Sequence, residues 1–449
     1  MGLLSVLLKI ASMKKEKINC VKIVGGGLAG AEAALYLASK GVSVKLYDIK
    51  PLNKTPAHTS DNYAELVCSN SLKSNDVYGN AAGLLKEEMR LMGSIIISVA
   101  DNTKVPAGNA LAVNRELFSE QITNKIKSNP YIECINEEVC DLSGDLVLIA
   151  TGPLTTEPLS KAISSIMGSG LHFYDASAPV VTAESIDPQY SFVGDRYDKG
   201  NGDHINCPMN KEEYTEFYNA LISAERAELK EFEKSDVFEG CMPVEIMAKR
   251  GVDTLRFGPL KPVGLTDPKT GRWAYATLQL RKEDFEGTMY NLVGFQTNLK
   301  FPEQKRVFGL IPALKNAEFV RYGVMYRNTY VNSPEFLNID LSLKDNPNVY
   351  FAGQITGVEG YVESAVTGLV AGIQIYRKLK NKKPLEFSDK TVTGALLKYI
   401  TTKNQDFQPM NANFALLPPP NKIIRDKKER KAHLASISLD AIKKIVKEI

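Results

Sequence analysis

Histidine and tryptophan are scarce in this chain, four and one among 449 residues. His58, His172, His204 and His433 are scattered, so no histidine-based metal cluster is expected. The six cysteines form no CxxC pair and no paired metal spacing. That excludes a disulfide scaffold and argues against zinc; reduced thiols in a cytoplasmic protein are expected. The apolar stretch at residues 3–11 falls well short of the ~20 residues a bilayer span needs. Lys14, Lys15 and Lys17 follow that stretch, whereas a secretory signal places its basic residues first. Residues 1–19 are therefore read as an N-terminal extension. A net charge of +3 is nearly balanced, so any grip on nucleic acid must come from local patches. With 44% hydrophobic and 24% charged residues, the chain reads as a soluble globular protein of two or three domains.

A glycine turn stands in register with its flanking elements. Residues 21–24 read as a buried strand. Gly25-Gly26-Gly27-Leu28-Ala29-Gly30 follows, then a helical pattern over 31–40 that ends at Gly41. A second strand over 42–47 delivers Asp48, eighteen residues past Gly30. This order is that of a dinucleotide site. Gly25 permits the tight turn, Gly27 admits a pyrophosphate, Gly30 lets helix and strand pack, and Asp48 can accept from ribose hydroxyls. The plainer reading is an ordinary glycine-rich βα turn, and the turn does not choose between FAD and NAD.

Two further markers repeat the theme. The apolar strand over 146–150 ends in Thr151-Gly152, where small residues let the chain pass close to a dinucleotide. Near the C-terminus a strand over 349–352 ends at Gly353-Gln354, and a helix is expected to begin near Gly360 or Tyr361, offering a second helix N-terminus to an anion or a flavin edge. Together the three markers predict an α/β fold: a glutathione-reductase-like, FAD-binding Rossmann domain with an inserted α+β domain. The FAD-binding part is placed at 20–183 and 331–449, and the insertion at 184–330.

Between the markers, Cys68 sits among Ser69, Asn70 and Ser71, a poor helix interior but suited to ligand contacts. Taken alone, a cysteine beside Leu66-Val67 is more often a small buried hydrophobe. Residues 81–93 and 116–127 read as helices, and 132–139 as a strand. The insertion carries a charged helical pattern over 211–234. Cys241 follows Gly240 at a turn. Basic residues (among them Lys249, Arg256, Arg272, Arg281, Arg306 and Arg321) interleave with aromatics (Phe257, Trp273, Tyr275, Phe295, Phe308, Tyr322). That mixture suits phosphate contacts and base stacking, although solvated faces around a normal core explain any single residue. Residues 422–449 form a basic helical tail, expected to dock or to touch RNA.

The stretches KIVGGGLAGAEAA, ELVCSNSLKS, LIATGPLT, NCPMNKEEY, FEGCMPVEIMAKRGVDTLRFGPLKPVGL, FQTNLKFPEQKRVF and YFAGQITGVEGYVESA, in order over about residues 21–430, resemble the folate- and FAD-dependent tRNA (uracil-5-)-methyltransferases. The resemblance implies methylation of uridine C5, with the T-loop uridine of tRNA as the usual target. The one-carbon donor is then 5,10-methylenetetrahydrofolate, reduced FAD is the hydride source, and NADPH or NADH reloads the flavin. It implies RNA and folate as partners, with no membrane and no metal. A uridine of 23S ribosomal RNA, or oxidation of a small molecule, are the alternatives.

Uracil C5 is a weak nucleophile until a thiolate adds to C6, which makes two thiols useful, one as nucleophile and one as base. By resemblance Cys241 attacks C6 and Cys68 takes the C5 proton. Gly25, Gly26, Gly27, Leu28, Ala29, Gly30, Asp48, Gly152, Gly353, Gln354 and Tyr361 are implied to hold FAD, with Tyr361 as ring partner. Cys207 is read as structural; Cys20, Cys134 and Cys140 are read as core. The chain departs from the family pattern at Asp48, where Glu is usual, at Tyr326, where His is usual, and at Gly309, where Arg is usual. The last two are expected to bear on which RNA is held.

Overall fold

The structure is a computed structural model. It describes residues 20–449 apart from 56, 168–170, 177, 199–201, 228–241, 284–286, 324, 404–406 and 422, and of strands 171–176 and 325–329 it gives the backbone. Five parallel strands form the central sheet in the order Val349–Phe351, Val147–Ile149, Cys20–Val24, Ser43–Asp48, Ile132–Asn136. The three strands at 349–351, 147–149 and 20–24 are short, apolar and largely buried, as expected of a sheet covered on both faces, whereas Ser43–Asp48 alternates and the edge strand Ile132–Asn136 is partly exposed. The three predicted marker strands are thus adjacent, and their C-terminal ends open into one cleft.

Helix Leu28–Ser39 lies against this sheet and is buried on every side from Leu28 to Ala38. It crosses helix Tyr361–Leu379 at near backbone contact. A Cβ on Gly368 would lie 2.2 Å from the Ala29 carbonyl oxygen, so only glycine allows this approach. The crossing brings the N-termini of both helices to the same cleft. Glu32, fully buried in the first helix, accepts from Ser94 Oγ (2.8 Å), Ile95 N (2.9 Å) and Ile96 N (2.9 Å), and so caps helix Ile95–Asn102.

A two-stranded ribbon, Leu171–Ala176 against Met325–Tyr330, carries the chain out of the central unit and back. Beyond it lies a six-stranded sheet that already includes Val180–Thr182, ahead of residue 184, and closes with Phe319–Arg321. Its core holds Cys207, Tyr214, Phe217, Phe295 and Phe308, the last two rings meeting edge to face at 5.3 Å. Of the long helix expected over 211–234, Lys211–Ser223 is observed as helix, and 228–234 lie outside the described residues. The chain leaves it because Arg226 pairs with Leu299 and Ala227 N donates to Asn298 O, so tertiary pairing overrides helix propensity. The C-terminal tail forms helix Lys427–Val446, which docks through Leu434, Ala435, Ile442 and Ile445. Among the described residues, no helix is long and apolar enough to cross a membrane.

Candidate active site

The cleft between the two helix N-termini encloses about 380 Å³, within the range of small-molecule sites. Gly25, Gly26, Gly27, Leu28, Ala29, Asp48, Gly152, Gly353, Gln354, Tyr361 and Cys68 all line it. Gly30 does not. A Cβ there would sit 1.8 Å from Gly25 O, so this glycine serves helix–strand packing and leaves the ligand to its neighbours.

The cleft fits a dinucleotide such as FAD by three observations. A Cβ on Gly27 would meet nothing within 4 Å, which leaves space on the cleft side of the turn. Helices Leu28–Ser39 and Tyr361–Leu379 both begin without a side-chain cap, so their first N–H groups are available to an anion. The Asp48 carboxylate spends one lone pair per oxygen, on Gly26 N (2.7 Å) and Lys50 N (2.8 Å), and keeps the others for ribose hydroxyls. Lys50 and His58 line the same end of the cleft. Burial pulls both side chains below their ordinary pKa values.

At the other end, Tyr361 is engaged through its hydroxyl. Its oxygen lies 2.8 Å from Cys68 N, 3.2 Å from Ser69 N and 2.9 Å from Cys68 Sγ. The next residues of this segment are held by the second sheet. Arg281 donates to Ser69 Oγ (2.8 Å) and Asn70 Oδ1 (3.0 Å), and Asn70 Nδ2 donates to Lys282 O (2.8 Å). Arg115 pairs with Glu283 at 2.9 Å beside them. Arg281 and Arg321 belong to the basic set that the sequence leaves open between phosphate contacts and solvated faces; both are instead largely buried beside the Cys68 segment, and burial lowers the pKa of each. Only the spatial fold pairs residues 68–70 with 281–283, so no local signal could have revealed this.

Cys241 lies outside the described residues. Cys207 is fully buried, and burial pushes its thiol well up, in keeping with a structural role. Cys20 and Cys134 are half-buried. Cys140, expected in the core, is exposed, because the strand ends at Asn136 before reaching it. The aromatic and basic mixture of the insertion also divides. Phe295 and Phe308 are core, whereas Phe257 is 82% and Trp273 54% exposed. These two flank the pair in which the Arg256 guanidinium stacks 3.7 Å from the Tyr275 ring centre. Gly309 ends helix Phe301–Phe308, and Tyr326 stands in the connecting ribbon opposite Asp175.

A family described as "Glucose inhibited division protein A" matches residues 20–383. A protein of Acetivibrio thermocellus named methylenetetrahydrofolate–tRNA-(uracil-5-)-methyltransferase TrmFO is 56% identical over 432 residues, covering 96% of this chain and 99% of that protein. Its namesake in Enterococcus faecalis is 53% identical over 431 residues, covering 96% and 99%. Among solved structures, Aquifex aeolicus GidA (form II crystal) superposes with a TM-score of 0.70 at 16% identity, covering 95% of this chain and 73% of that one, a likeness of fold. The chain belongs to the methylenetetrahydrofolate–tRNA-(uracil-5-)-methyltransferase family, within the wider GidA family.

Proposed function

We propose that this protein methylates C5 of a uridine in tRNA, the T-loop uridine, using 5,10-methylenetetrahydrofolate and acting in the cytoplasm. Relatives above 50% identity over nearly the whole chain carry methylenetetrahydrofolate-dependent tRNA (uracil-5-)-methylation in their names. The observation that carries the reading is the position of Cys68. It stands in the cleft at the start of helix Tyr361–Leu379, where a thiol can meet a base presented beside a flavin.

The residues divide the work as follows. Gly25, Gly26, Gly27, Asp48, Gly152, Gly353 and Gln354 hold FAD across the sheet edge. Bound FAD, reduced by NADPH or NADH, supplies the hydride that completes the methyl group. Cys241 adds to uracil C6 and makes C5 nucleophilic. Cys68 then removes the C5 proton once the one-carbon unit is attached. Phe257 and Trp273 offer exposed faces on which unpaired bases can stack, with Arg256 beside them.

Incubation with tRNA carrying 5-fluorouridine tests this directly, because fluorine cannot leave as a proton and the C6 adduct is trapped. A covalent protein–RNA complex through Cys241, lost in Cys241→Ser and retained in Cys68→Ser, is expected. A complex through Cys68, or none, would refute the assignment of the two thiols.

A further inference from the structure

Tyr361 does more than line the cleft. An aryl hydroxyl has one hydrogen to give and its lone pairs to receive with. Backbone N–H groups cannot accept, so at 2.8 Å and 3.2 Å the N–H groups of Cys68 and Ser69 occupy the lone pairs of the Tyr361 oxygen. Among the described residues the acceptor left for the hydroxyl hydrogen is Cys68 Sγ at 2.9 Å, a short contact for sulfur. The sulfur is the acceptor in this pair.

The surrounding charge favours the same state. Arg281 and Glu283 face the segment from the second sheet, Arg321 from its edge strand, and Arg115 from the start of helix Arg115–Lys127. Glu283 is paired with Arg115, so among the described residues three guanidinium groups meet this one carboxylate. Among the described residues, Arg321 Nε and Nη2 are buried without a hydrogen-bond partner, as are Arg115 Nε and Nη1. Lys73 and Glu363, near the same helix start, pair with each other at 2.9 Å. A buried excess of positive charge calls for a compensating anion. Burial also keeps the Tyr361 hydroxyl protonated well above its ordinary pKa, so it stays a donor.

We propose that Cys68 rests as a thiolate, held by the Tyr361 hydroxyl and by the arginine excess, so that the base is formed before substrate arrives. Tyr361 is then a positioning residue acting through Cys68. The proposal rests on the reading of Cys68 as the base. It also explains why tyrosine and not phenylalanine begins this helix. In the reaction the thiolate takes the C5 proton and becomes a thiol. The Tyr361 O–H bond stays intact throughout.

The test is labelling of Cys68 by iodoacetamide in the FAD-loaded protein, followed by peptide mass spectrometry across about pH 5 to 9, since the thiolate alone reacts. In the unmodified chain the midpoint should lie at least one unit below the ordinary thiol value of about 8.5. Tyr361→Phe should raise it by about one unit or more, and Arg321→Gln should raise it by less, consistent with a hydrogen bond outweighing a more distant charge. A midpoint at the ordinary thiol value, or one unmoved in both variants, overturns the proposal. Should Tyr361→Phe fail to fold, Arg321→Gln decides alone, and an unshifted profile overturns it. Methylation by Cys68→Ser, measured in parallel, separates the two claims: full activity there removes the base role, whatever the labelling shows.

Discussion

The Asp48 carboxylate reaches back across the glycine turn and accepts the Gly26 N–H at 2.7 Å. Its other oxygen accepts Lys50 N at 2.8 Å, so one side chain braces both the turn and the loop that follows the second strand. Hydrogen bonds to a charged group contribute roughly 1.5–3 kcal/mol each. Asp48→Ala is therefore expected to lower stability by about 3 kcal/mol and to release most of the flavin. Flavin absorbance after gel filtration checks this, and full retention would count against a bracing role.

Gly27 and Gly30 separate two uses of glycine in one turn. Gly27 has open space at Cβ and extended backbone that alanine can adopt, so Gly27→Ala should leave the melting temperature nearly unchanged while weakening flavin binding. At Gly30 the added Cβ would meet a carbonyl oxygen at 1.8 Å, so Gly30→Ala should cost about 3 kcal/mol or more, in the range of severe overpacking. Thermal melts with and without added FAD distinguish the two. Equal stability losses would show that the turn is not divided in this way.

Glu32 makes stability depend on pH. Burial pushes its carboxyl up to about 7 despite the donors at Ser94, Ile95 and Ile96. Between about 4.5, the ordinary carboxyl range, and 7 the folded chain holds more protons than the unfolded one, so the contribution of this group falls as pH rises through that window. The melting temperature of the unmodified chain should drop relative to Glu32→Gln as pH is raised from 5 to 8, by an amount equivalent to about 2–3 kcal/mol. A constant difference between the two proteins across that range would contradict it.

Glu88 ties two distant segments together. Fully buried, it accepts from Val392 N (2.7 Å), Thr393 N (2.8 Å) and Thr393 Oγ1 (2.6 Å), and from Ser438 Oγ in the C-terminal helix. Glu88→Ala leaves these donors buried and unpaired, at a cost of about 3–5 kcal/mol. Faster proteolysis within residues 427–446 should accompany the loss. An intact tail at unchanged protease concentration would show that other contacts carry the docking.

Three central strands, at 20–24, 147–149 and 349–351, were legible because they are apolar runs that lead into glycine, and that pattern is local. The glycine turn and Asp48 were legible for the same reason. Helix Ile95–Asn102 was not, since three successive β-branched isoleucines are weak helix formers and the carboxylate that caps it lies 62 residues earlier in the chain. The charged helix after Lys211 stops at Ser223 because residues 226 and 227 pair with 298 and 299, which no helical periodicity reports. Cys68 was singled out by resemblance, but its partner Tyr361 stands 293 residues away and was expected to meet the flavin by its ring. Burial of Arg281 and Arg321 was equally invisible, since in sequence they resemble the exposed basic residues around them.

The most direct test of the account supplies purified, FAD-loaded protein with labelled methylenetetrahydrofolate and NADPH, offers unmodified tRNA and 23S ribosomal RNA in parallel, and maps the labelled product. Label at C5 of the T-loop uridine of tRNA, absent with Cys241→Ser, is the predicted result. Label in ribosomal RNA alone would contradict the proposed target and direct attention to Tyr326 and Gly309. No label in either RNA, from protein that still oxidises NADPH, would contradict the proposed function.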